Sequence, residues 1–320
     1  MSSPGTTVIG SGIAGVACAR ALSDAGLPVR VLDRGRAPGG RMAGRTLHGR
    51  VVDLGASYFT VGQDSPFAPV VEDWVARGLA REWTDTFSVV GPDGVTDTKT
   101  GPVRYGAAGG LRSLVVDLAR GLDLVQQRTV EQVRLDGGPT VDGERADAVV
   151  LALPDPQARR LLEPGSAPET VLDPRGWQPT LAVALGWSTR RWDADLHGAF
   201  VHDDPTVEWL ADDGDRRGDG AAVLVAHTTP EFAARHLEEP ALAGPEVAET
   251  VTRLLGLDAP PDWTHVHRWT FAKPTSPREQ AFSLADGIGS CGDGWSAPSK
   301  VESAWTSGHE LGRELAARLG

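Results

Sequence analysis

The sequence predicts an α/β protein, and three features of the 320-residue chain carry this prediction. Near the N-terminus, a glycine-rich turn joins a short apolar segment to an alanine-rich helical segment, as in a parallel βαβ unit. The middle of the chain contains "TLAVALGW" and "AAVLVAHTT", alternating stretches that are typical of an antiparallel sheet. The C-terminal segment has apolar residues at helical spacing. We therefore expect one α/β domain with a second, α+β domain inserted into it.

The predicted βαβ unit begins with "TTVI" at 6–9, whose β-branched and apolar residues favour a short buried strand. Residues 13–25 are rich in alanine and contain no proline, so they favour a helix, and Gly26 suits the position just after its end. "VRVL" at 29–32 then predicts a second strand. The glycine-rich turn therefore lies between the first strand and the helix.

The three glycines of this turn match a dinucleotide-binding fingerprint. Gly10 permits the tight turn, Gly12 lets a pyrophosphate approach the backbone, and Gly15 lets the helix pack close to the sheet. The helix N-terminus offers unpaired N–H groups and partial positive charge to the phosphates. Asp33 follows the second strand, where an acidic side chain accepts hydrogen bonds from a ribose. The sequence therefore predicts a dinucleotide site.

The loop after Asp33 distinguishes between dinucleotides. An NAD dehydrogenase usually continues into further βαβ units, whereas this chain continues with "RGRAPGGRM" at 34–42, which is rich in helix breakers. Arg41 in this loop can lie along a pyrophosphate, and the adjacent glycines leave the backbone accessible. The GxGxxG turn, Asp33 and the "GGR" run together resemble the FAD-binding signature of the amine oxidase and protoporphyrinogen oxidase flavoproteins.

Three further stretches strengthen this resemblance. "VVDLGASYFTV" at 51–61 is similar to the segment beside the flavin ring in renalase-like proteins. "ADAVVLALPDPQA" at 146–158 resembles the strand beneath the adenosine half, and Val130 stands in the place of a valine whose backbone meets adenine. "CGDGWSAPSKVESAWTSGHELGREL" at 291–315 resembles the closing flavin motif.

The resemblance implies FAD, bound non-covalently, as the cofactor. The implied cofactor contacts are Gly10, Gly12, Ile13, Ala14, Gly15, Asp33, Arg34, Gly40, Arg41, Met42, Gly55, Ala56, Ser57, Val130, Asp293, Lys300 and Val301. Ser299 and Glu302 fit a capping box, so a helix should begin at about residue 300. The resemblance then implies that Lys300 and the backbone of Val301 lie at the flavin N1 and O2 edge.

Two stretches in the middle of the chain point to renalase-like oxidases more narrowly. "VAHTTPEFAARHL" at 225–237 and "HVHRWTFAKP" at 265–274 resemble segments of that group. The resemblance implies oxidation of 2- or 6-dihydro isomers of NAD(P) to NAD(P)+ by hydride transfer to flavin N5, with O2 then giving hydrogen peroxide. Such a transfer needs alignment more than a general base, so we predict no catalytic side chain. The predicted substrate contacts are Tyr58, Phe59, His227, Trp269 and Trp295.

The implied architecture is that of p-hydroxybenzoate hydroxylase: a Rossmann-type FAD domain with an inserted substrate domain built on an antiparallel sheet. We assign residues 1–61, 111–164 and 286–320 to the FAD domain. Residues 62–110 and 165–285 form the predicted substrate domain.

Composition argues against several other classes of protein. A net charge of -12 opposes binding to nucleic acid, and no apolar run approaches the length that spans a bilayer. The N-terminus lacks the pattern of a signal peptide, so we predict a cytoplasmic protein. Cys18 and Cys291 are expected to be buried structural thiols. The sequence does not predict an oligomeric state.

No metal site is predicted. "DDGDRRGDG" at 212–220 has the wrong residues for two ligand positions of a calcium loop, so we interpret it as a solvated turn. His265 and His267 share one face of a strand but lack an evident third ligand.

Three alternative functions remain open. A true amine oxidase is the nearest, although the chain is short for that group and no cysteine lies in a motif for covalent flavin attachment. An aromatic hydroxylase would consume NADPH, and its second Asp-Gly fingerprint is not evident. A non-enzymatic FAD-binding protein would bind flavin without turnover.

Overall fold

Two large sheets organise residues 5–320, which are the residues that the computed structural model describes. Residues 1–4 of the predicted FAD domain lie outside them. The strands are β1 Thr6–Ile9, β2 Val29–Leu32, β3 Gly44–Leu47, β4 Arg50–Asp53, β5 Arg81–Gly91, β6 Gly94–Gly106, β7 Asp123–Val125, β8 Val133–Leu135, β9 Pro139–Val141, β10 Glu144–Arg145, β11 Ala148–Leu151, β12 Trp177–Gly186, β13 Gly198–Val201, β14 Val207–Asp212, β15 Val223–Thr228, β16 Trp263–Pro274, β17 Ser283–Ala285 and β18 Ile288–Ser290. The α-helices are α1 Ile13–Asp24, α2 Ala68–Ala76, α3 Leu111–Leu118, α4 Asp155–Arg159, α5 Ala167–Thr170, α6 Asp213–Arg217, α7 Pro230–Arg235, α8 Gly244–Leu254 and α9 Val301–Leu319, and Gly40–Met42 and Pro240–Ala243 form 3-10 turns.

The first sheet is mainly parallel, in the order β17-β18-β11-β1-β2-β7. β1 pairs in parallel with β2 and β11, and only the edge strand β17 runs antiparallel to its neighbour. The predicted βαβ unit is present as β1, α1 and β2. α9 packs closely against α1, because a Cβ at Gly308 would clash with the carbonyl oxygen of Ala14, and one at Gly312 would lie 2.6 Å from that of Cys18. Glycine at both positions therefore lets α9 pack against α1, the helix that follows the glycine-rich turn.

The second sheet has the order β16-β12-β15-β14-β13-β5-β6. We expected an antiparallel sheet, but the sheet is mixed, because β13 pairs in parallel with β5. β5 and β6 form a hairpin early in the chain, and β13 reaches that hairpin only after the chain has passed through the first sheet. No tight turn therefore fixes the relative direction of β5 and β13.

The second sheet buries a different set of residues on each face. On one face, Val247, Val251 and Leu254 of α8 contribute to a fully buried apolar cluster. On the other face, Val52 and Leu54 of the β3–β4 region pack with small residues of β12 and β15. Two small sheets, β10-β9-β8 and β3-β4, complete the strands. The chain alternates between the two large sheets, and the domain boundaries proposed from the sequence stay a prediction.

Two local predictions were wrong. α9 begins at Val301, as expected, but the capping box does not form: Ser299 Oγ donates to Asp293 Oδ2 at 2.7 Å, and Glu302 Oε1 accepts from the backbone of Gly62 at 2.9 Å. The segment 212–220 is not a solvated turn. It contains α6, in which Asp213, Arg216 and Arg217 are buried, and Asp213 pairs with Arg50 from a distant part of the chain.

No helix in residues 5–320 is both long and apolar enough to cross a membrane. The same described residues contain no cluster of three or more potential metal ligands of the His, Cys, Asp or Glu type.

Candidate functional site

A cavity of about 2000 Å³ is lined by residues from both large sheets. A single small-molecule pocket occupies about 300–1000 Å³, so this cavity has room for a dinucleotide together with a second molecule. Fifteen predicted cofactor contacts line it: Gly10, Gly12, Ile13, Ala14, Asp33, Arg34, Gly40, Arg41, Gly55, Ala56, Ser57, Val130, Asp293, Lys300 and Val301. Of the predicted substrate contacts, Tyr58, His227, Trp269 and Trp295 also border it.

The glycine-rich turn leaves an open cradle at the start of α1. Gly10 has a φ of 108°, which favours glycine. Gly12 is the N-cap and supplies no side-chain hydrogen bond, so the N–H groups of the first turn are free to meet an anion. Gly12 faces Gly40, whose Cα lies 3.8 Å from the point that a Cβ on Gly12 would occupy. Gly15 instead faces the protein, since a Cβ there would clash with the carbonyl oxygen of Gly10.

Asp33 holds the glycine-rich turn to the end of β2. Its Oδ2 accepts hydrogen bonds from the backbone N–H of Ser11 at 2.6 Å and from Ser11 Oγ at 2.9 Å. Its Oδ1 accepts from the backbone N–H of Gly35 at 2.6 Å. The sequence interpretation missed Ser11 and Gln126, whose Nε2 lies 3.4 Å from Ser11 Oγ and whose Oε1 is buried without a partner. Gln126 directly follows β7, the parallel neighbour of β2, which is the signal that could have identified it.

Arg41 and Asp293 form an ion pair at the cavity wall. Arg41 Nη1 donates to Asp293 Oδ2 at 2.9 Å, and Nη2 donates to Oδ1. Nη1 also donates to the carbonyl oxygen of Ala272 at 3.0 Å, and the guanidinium lies 4.9 Å from the ring centre of Trp177. The sequence predicted a cofactor contact for each residue separately but did not predict their pairing.

The N-terminus of α9 meets the cavity without a side-chain cap. Lys300, the N-cap residue, places Nζ 2.6 Å from Glu302 Oε2. An uncapped helix N-terminus stabilises a negative charge that lies close to it. The cavity therefore has such a helix end at α9 as well as at α1.

The Asp53–Ser57 segment joins the two halves of the site. The carbonyl oxygen of Leu54 accepts from Trp269 Nε1 at 2.6 Å, and the backbone N–H of Ala56 donates to the carbonyl oxygen of Arg41 at 2.8 Å. Gly55 has no room for a side chain, because a Cβ there would clash with that same oxygen of Arg41 and lie 3.4 Å from Trp269.

An aromatic cluster extends the wall beyond this segment. Ser57 Oγ accepts from Trp209 Nε1 at 3.0 Å. The ring of Tyr58 lies 5.2 Å from that of Phe87 and 5.7 Å from that of Trp209. Burial raises the pKa of Tyr58, so its hydroxyl stays protonated at neutral pH.

Three histidines of the lining are held in the neutral form. Burial, reinforced by Arg216 and Lys273, lowers the pKa of His227 to about 4. Burial and then Arg45 lower the pKa of His267 to about 4, and the same two causes lower that of His265. The ring of His267 meets that of Trp269 edge-on at 4.5 Å. Nε2 of His227 and of His265 is buried without a hydrogen-bond partner.

Two predicted contacts, one for the substrate and one for the cofactor, belong to the core instead. Phe59 is 2% exposed and packs against Phe67, Trp74 and Tyr105, away from the cavity lining. Met42 is also buried in this core and does not line the cavity.

Trp295 borders the cavity but is only 4% exposed and belongs to an apolar cluster. The guanidinium of Arg278 lies 4.0 Å from the centre of its ring. Gly15, as described above, supports helix packing.

A parallel sheet with a glycine-rich turn at the N-terminus of its first helix, opening onto a large shared cavity, defines a dinucleotide-binding α/β protein. Residues 8–74 match the model of an NAD(P)-binding Rossmann-like domain, and residues 88–310 match that of flavin containing amine oxidoreductases. The chain belongs to the flavin containing amine oxidoreductase family. The family match supports the prediction of an FAD-dependent oxidoreductase.

Individual relatives are similar over different extents. Two proteins of Arabidopsis thaliana match, "Probable polyamine oxidase 4" at 44% identity over 69 residues and "Polyamine oxidase 2" at 43% identity over 70 residues, or 21% and 22% of this chain. The matched part spans only 14% of the length of either relative.

Among solved structures, a protein from Exiguobacterium sp. 255-15 that is provisionally assigned as a protoporphyrinogen oxidase has a TM-score of 0.78 at 15% identity, and the match covers 99% of this chain and 100% of that one. A putrescine oxidase bound to putrescine has a TM-score of 0.68 at 14% identity, with 99% of each chain covered. At these identities, the likeness concerns the fold.

Proposed function

We propose that the protein oxidises a dihydronicotinamide, namely a 2- or 6-dihydro isomer of NAD(P), to NAD(P)+. The observation that carries the proposal is the character of the cavity around Trp269: aromatic rings, three neutral imidazoles and an excess of basic side chains. Such a lining suits a planar ring that carries an anionic tail.

The dinucleotide part of the cavity fits non-covalent FAD. Gly12 and the first turn of α1 would hold the pyrophosphate, Asp33 would face the ribose, and Val130 would meet adenine. Arg41 and Asp293 would hold the chain between pyrophosphate and flavin. Burial raises the pKa of Cys291 to about 12, so this cavity-lining thiol is a poor nucleophile for covalent attachment.

When bound, FAD would supply the hydride acceptor, and O2 would be the oxidant that regenerates it and yields hydrogen peroxide. The protein's own part is to orient the substrate ring, to exclude water and to place positive potential at the uncapped end of α9. Trp269 and Tyr58 would stack or border the substrate ring, and His227 would offer a hydrogen bond. Neutral imidazoles can serve both as donors and as acceptors, which suits a carboxamide.

The charge of the cavity lining favours a dihydronicotinamide over an amine as the substrate. Basic residues outnumber acidic ones about two to one in the lining. Four of the five acidic residues are engaged by protein partners: Asp33 with Ser11, Asp117 with Arg77, Asp155 with Arg278 and Asp293 with Arg41. A dication or polycation would enter against this potential.

An amine oxidase is the second candidate. Glu208, the remaining acidic residue of the lining, is the group that would attract an ammonium. The polyamine and putrescine oxidases named above also favour this candidate.

Anaerobic stopped-flow measurement of flavin absorbance tests both functions. The protein with bound FAD is mixed separately with 2- and 6-dihydronicotinamide isomers, with NADPH, and with putrescine or spermidine. We expect rapid bleaching with an isomer and slow or no bleaching with the amines. Bleaching by an amine alone would replace the proposal with the second candidate, and bleaching by NADPH alone would favour a hydroxylase-type reaction.

A further inference from the structure

Helix α6, "DGDRR", is an unusually polar element to be buried at the boundary of the site. The side chains of Asp213 and Arg216 are both 0% exposed. Arg216 Nη2 pairs with Asp213 Oδ1, and Asp213 Oδ2 accepts from Arg50 Nη1 at 2.5 Å. This charged cluster lies directly behind the Asp53–Ser57 segment.

Arg216 and its partner Asp213 form hydrogen bonds with the backbone of the Asp53–Ser57 segment, and those of Arg216 reach both ends. Arg216 Nη1 donates to the carbonyl oxygen of Ser57 at 2.7 Å, and Nη2 donates to that of Asp53 at 3.3 Å. Asp213 Oδ1 accepts from the backbone N–H of Asp53 at 3.3 Å. These hydrogen bonds involve backbone atoms of the segment, so they fix its position independently of its side chains.

Stability alone does not account for this arrangement. A buried ion pair loses the hydration of both ions, and well-packed apolar residues often stabilise a protein equally or better. What the pair does supply is a directional, fixed geometry, because a guanidinium donates in a rigid plane. A fixed position is useful here, since the same segment contacts Arg41 and Trp269 on its cavity side.

We propose that Arg216 is a positioning residue: by holding the carbonyl oxygens of Asp53 and Ser57 it sets where the cavity wall at Gly55–Tyr58 stands relative to the flavin and the substrate. Arg216 itself does not line the cavity. The inference rests on the proposed place of FAD beside this wall, and it concerns geometry rather than the identity of the substrate.

Arg216→Lys tests the inference, because it keeps the charge but loses the planar pair of donors. A matched control is Arg159→Lys: Arg159 also pairs with an acid, Glu169, and donates to two carbonyl oxygens, those of Glu169 and Leu172, but does not line the cavity. Both variants should lower the Tm. Only Arg216→Lys should change the flavin absorption maximum and midpoint potential, and slow reduction of bound flavin by roughly 10- to 100-fold, as a displacement near 1 Å does.

Arg50→Lys covers the case in which Arg216→Lys does not fold. It loosens the hydrogen bonds that hold Asp213, the partner of Arg216, and Arg50 does not line the cavity. We expect a smaller change of the same kind in the flavin spectrum, potential and rate. Flavin spectrum, potential and reduction rate that match the wild type in every folded variant would overturn the inference. The flavin spectrum needs no substrate, and the midpoint potential can be measured by photoreduction. A failure of the dihydronicotinamide proposal therefore leaves this test intact.

Discussion

Arg41 donates through Nη1 to Asp293 Oδ2 at 2.9 Å, and this bond joins the loop after β2 to the loop before α9. The two loops are the "GGR" run and the closing "GDG" motif, 252 positions apart in the chain. Each loop places residues in the cavity lining, so the ion pair joins the two ends of the proposed dinucleotide site.

Arg41→Ala should therefore weaken FAD binding. Loss of charge-assisted hydrogen bonds costs about 1.5–3 kcal/mol, or roughly a 10- to 100-fold higher Kd. The Kd is measured by titrating flavin-free protein with FAD. Arg30→Ala is the control, because Arg30 pairs with Asp123 on the exposed side of β2 and should leave the Kd unchanged. An unchanged Kd for Arg41→Ala would remove Arg41 from the proposed site.

Alanine at Gly12 and alanine at Gly15 should have different effects, the first on FAD binding and the second on the stability of the fold. A Cβ on Gly12 meets only ordinary contact distance, 3.8 Å from Gly40 Cα, so Gly12→Ala should fold but fill the cradle and lose FAD. Gly15→Ala clashes with the carbonyl oxygen of Gly10, so it should lower the stability of the fold itself. Circular dichroism and the flavin-to-protein absorbance ratio separate the two results. Full flavin content in Gly12→Ala would contradict the assignment of the cradle.

The βαβ unit and the start of α9 could be predicted because their signals are local: strand character, helical periodicity and glycine spacing. α6 could not, because charged residues at Asp213 and Arg216 normally indicate exposure. Their burial depends on Arg50, which is 163 positions from Asp213 in sequence. Composition likewise could not separate Trp269, which reaches the cavity, from Phe59, which faces the core, since that depends on how the sheets and loops meet.

The neutral histidines and Asp53 predict opposite effects of pH on stability. The pKa of His227 is about 4 in the folded protein against 6.5 for an ordinary histidine, so the unfolded state binds more protons between these values. Because of His227, the free energy of unfolding therefore decreases as pH falls from 6.5 to 4. The pKa of Asp53 is raised to about 6, chiefly by burial, so its contribution falls as pH rises from about 4 to 6.

Urea unfolding of the FAD-saturated protein from pH 4.5 to 7 measures these slopes. Because His227 and His267 both act in the same direction, the wild type should gain stability as pH rises over this range. His227→Gln should flatten the gain, whereas Asp53→Asn should steepen it. Parallel curves for all three proteins would show that these groups titrate alike in the folded and unfolded states.

Trp269 and Phe59 form a final pair of contrasting substitutions. Trp269→Phe keeps an aromatic ring beside Gly55 but removes the hydrogen bond to the carbonyl oxygen of Leu54, so the ring loses its fixed orientation. We expect flavin reduction to slow by roughly tenfold at full flavin content, because hydride transfer depends on alignment. Phe59→Leu leaves the cavity lining intact but removes packing from the core, so it should cost about 1 kcal/mol of stability without changing the reduction rate. Stopped-flow reduction and urea unfolding of both variants check these outcomes. A slowed rate in Phe59→Leu together with a normal rate in Trp269→Phe would reverse the two assignments, since the side chain that governs reduction must be the one that borders the cavity.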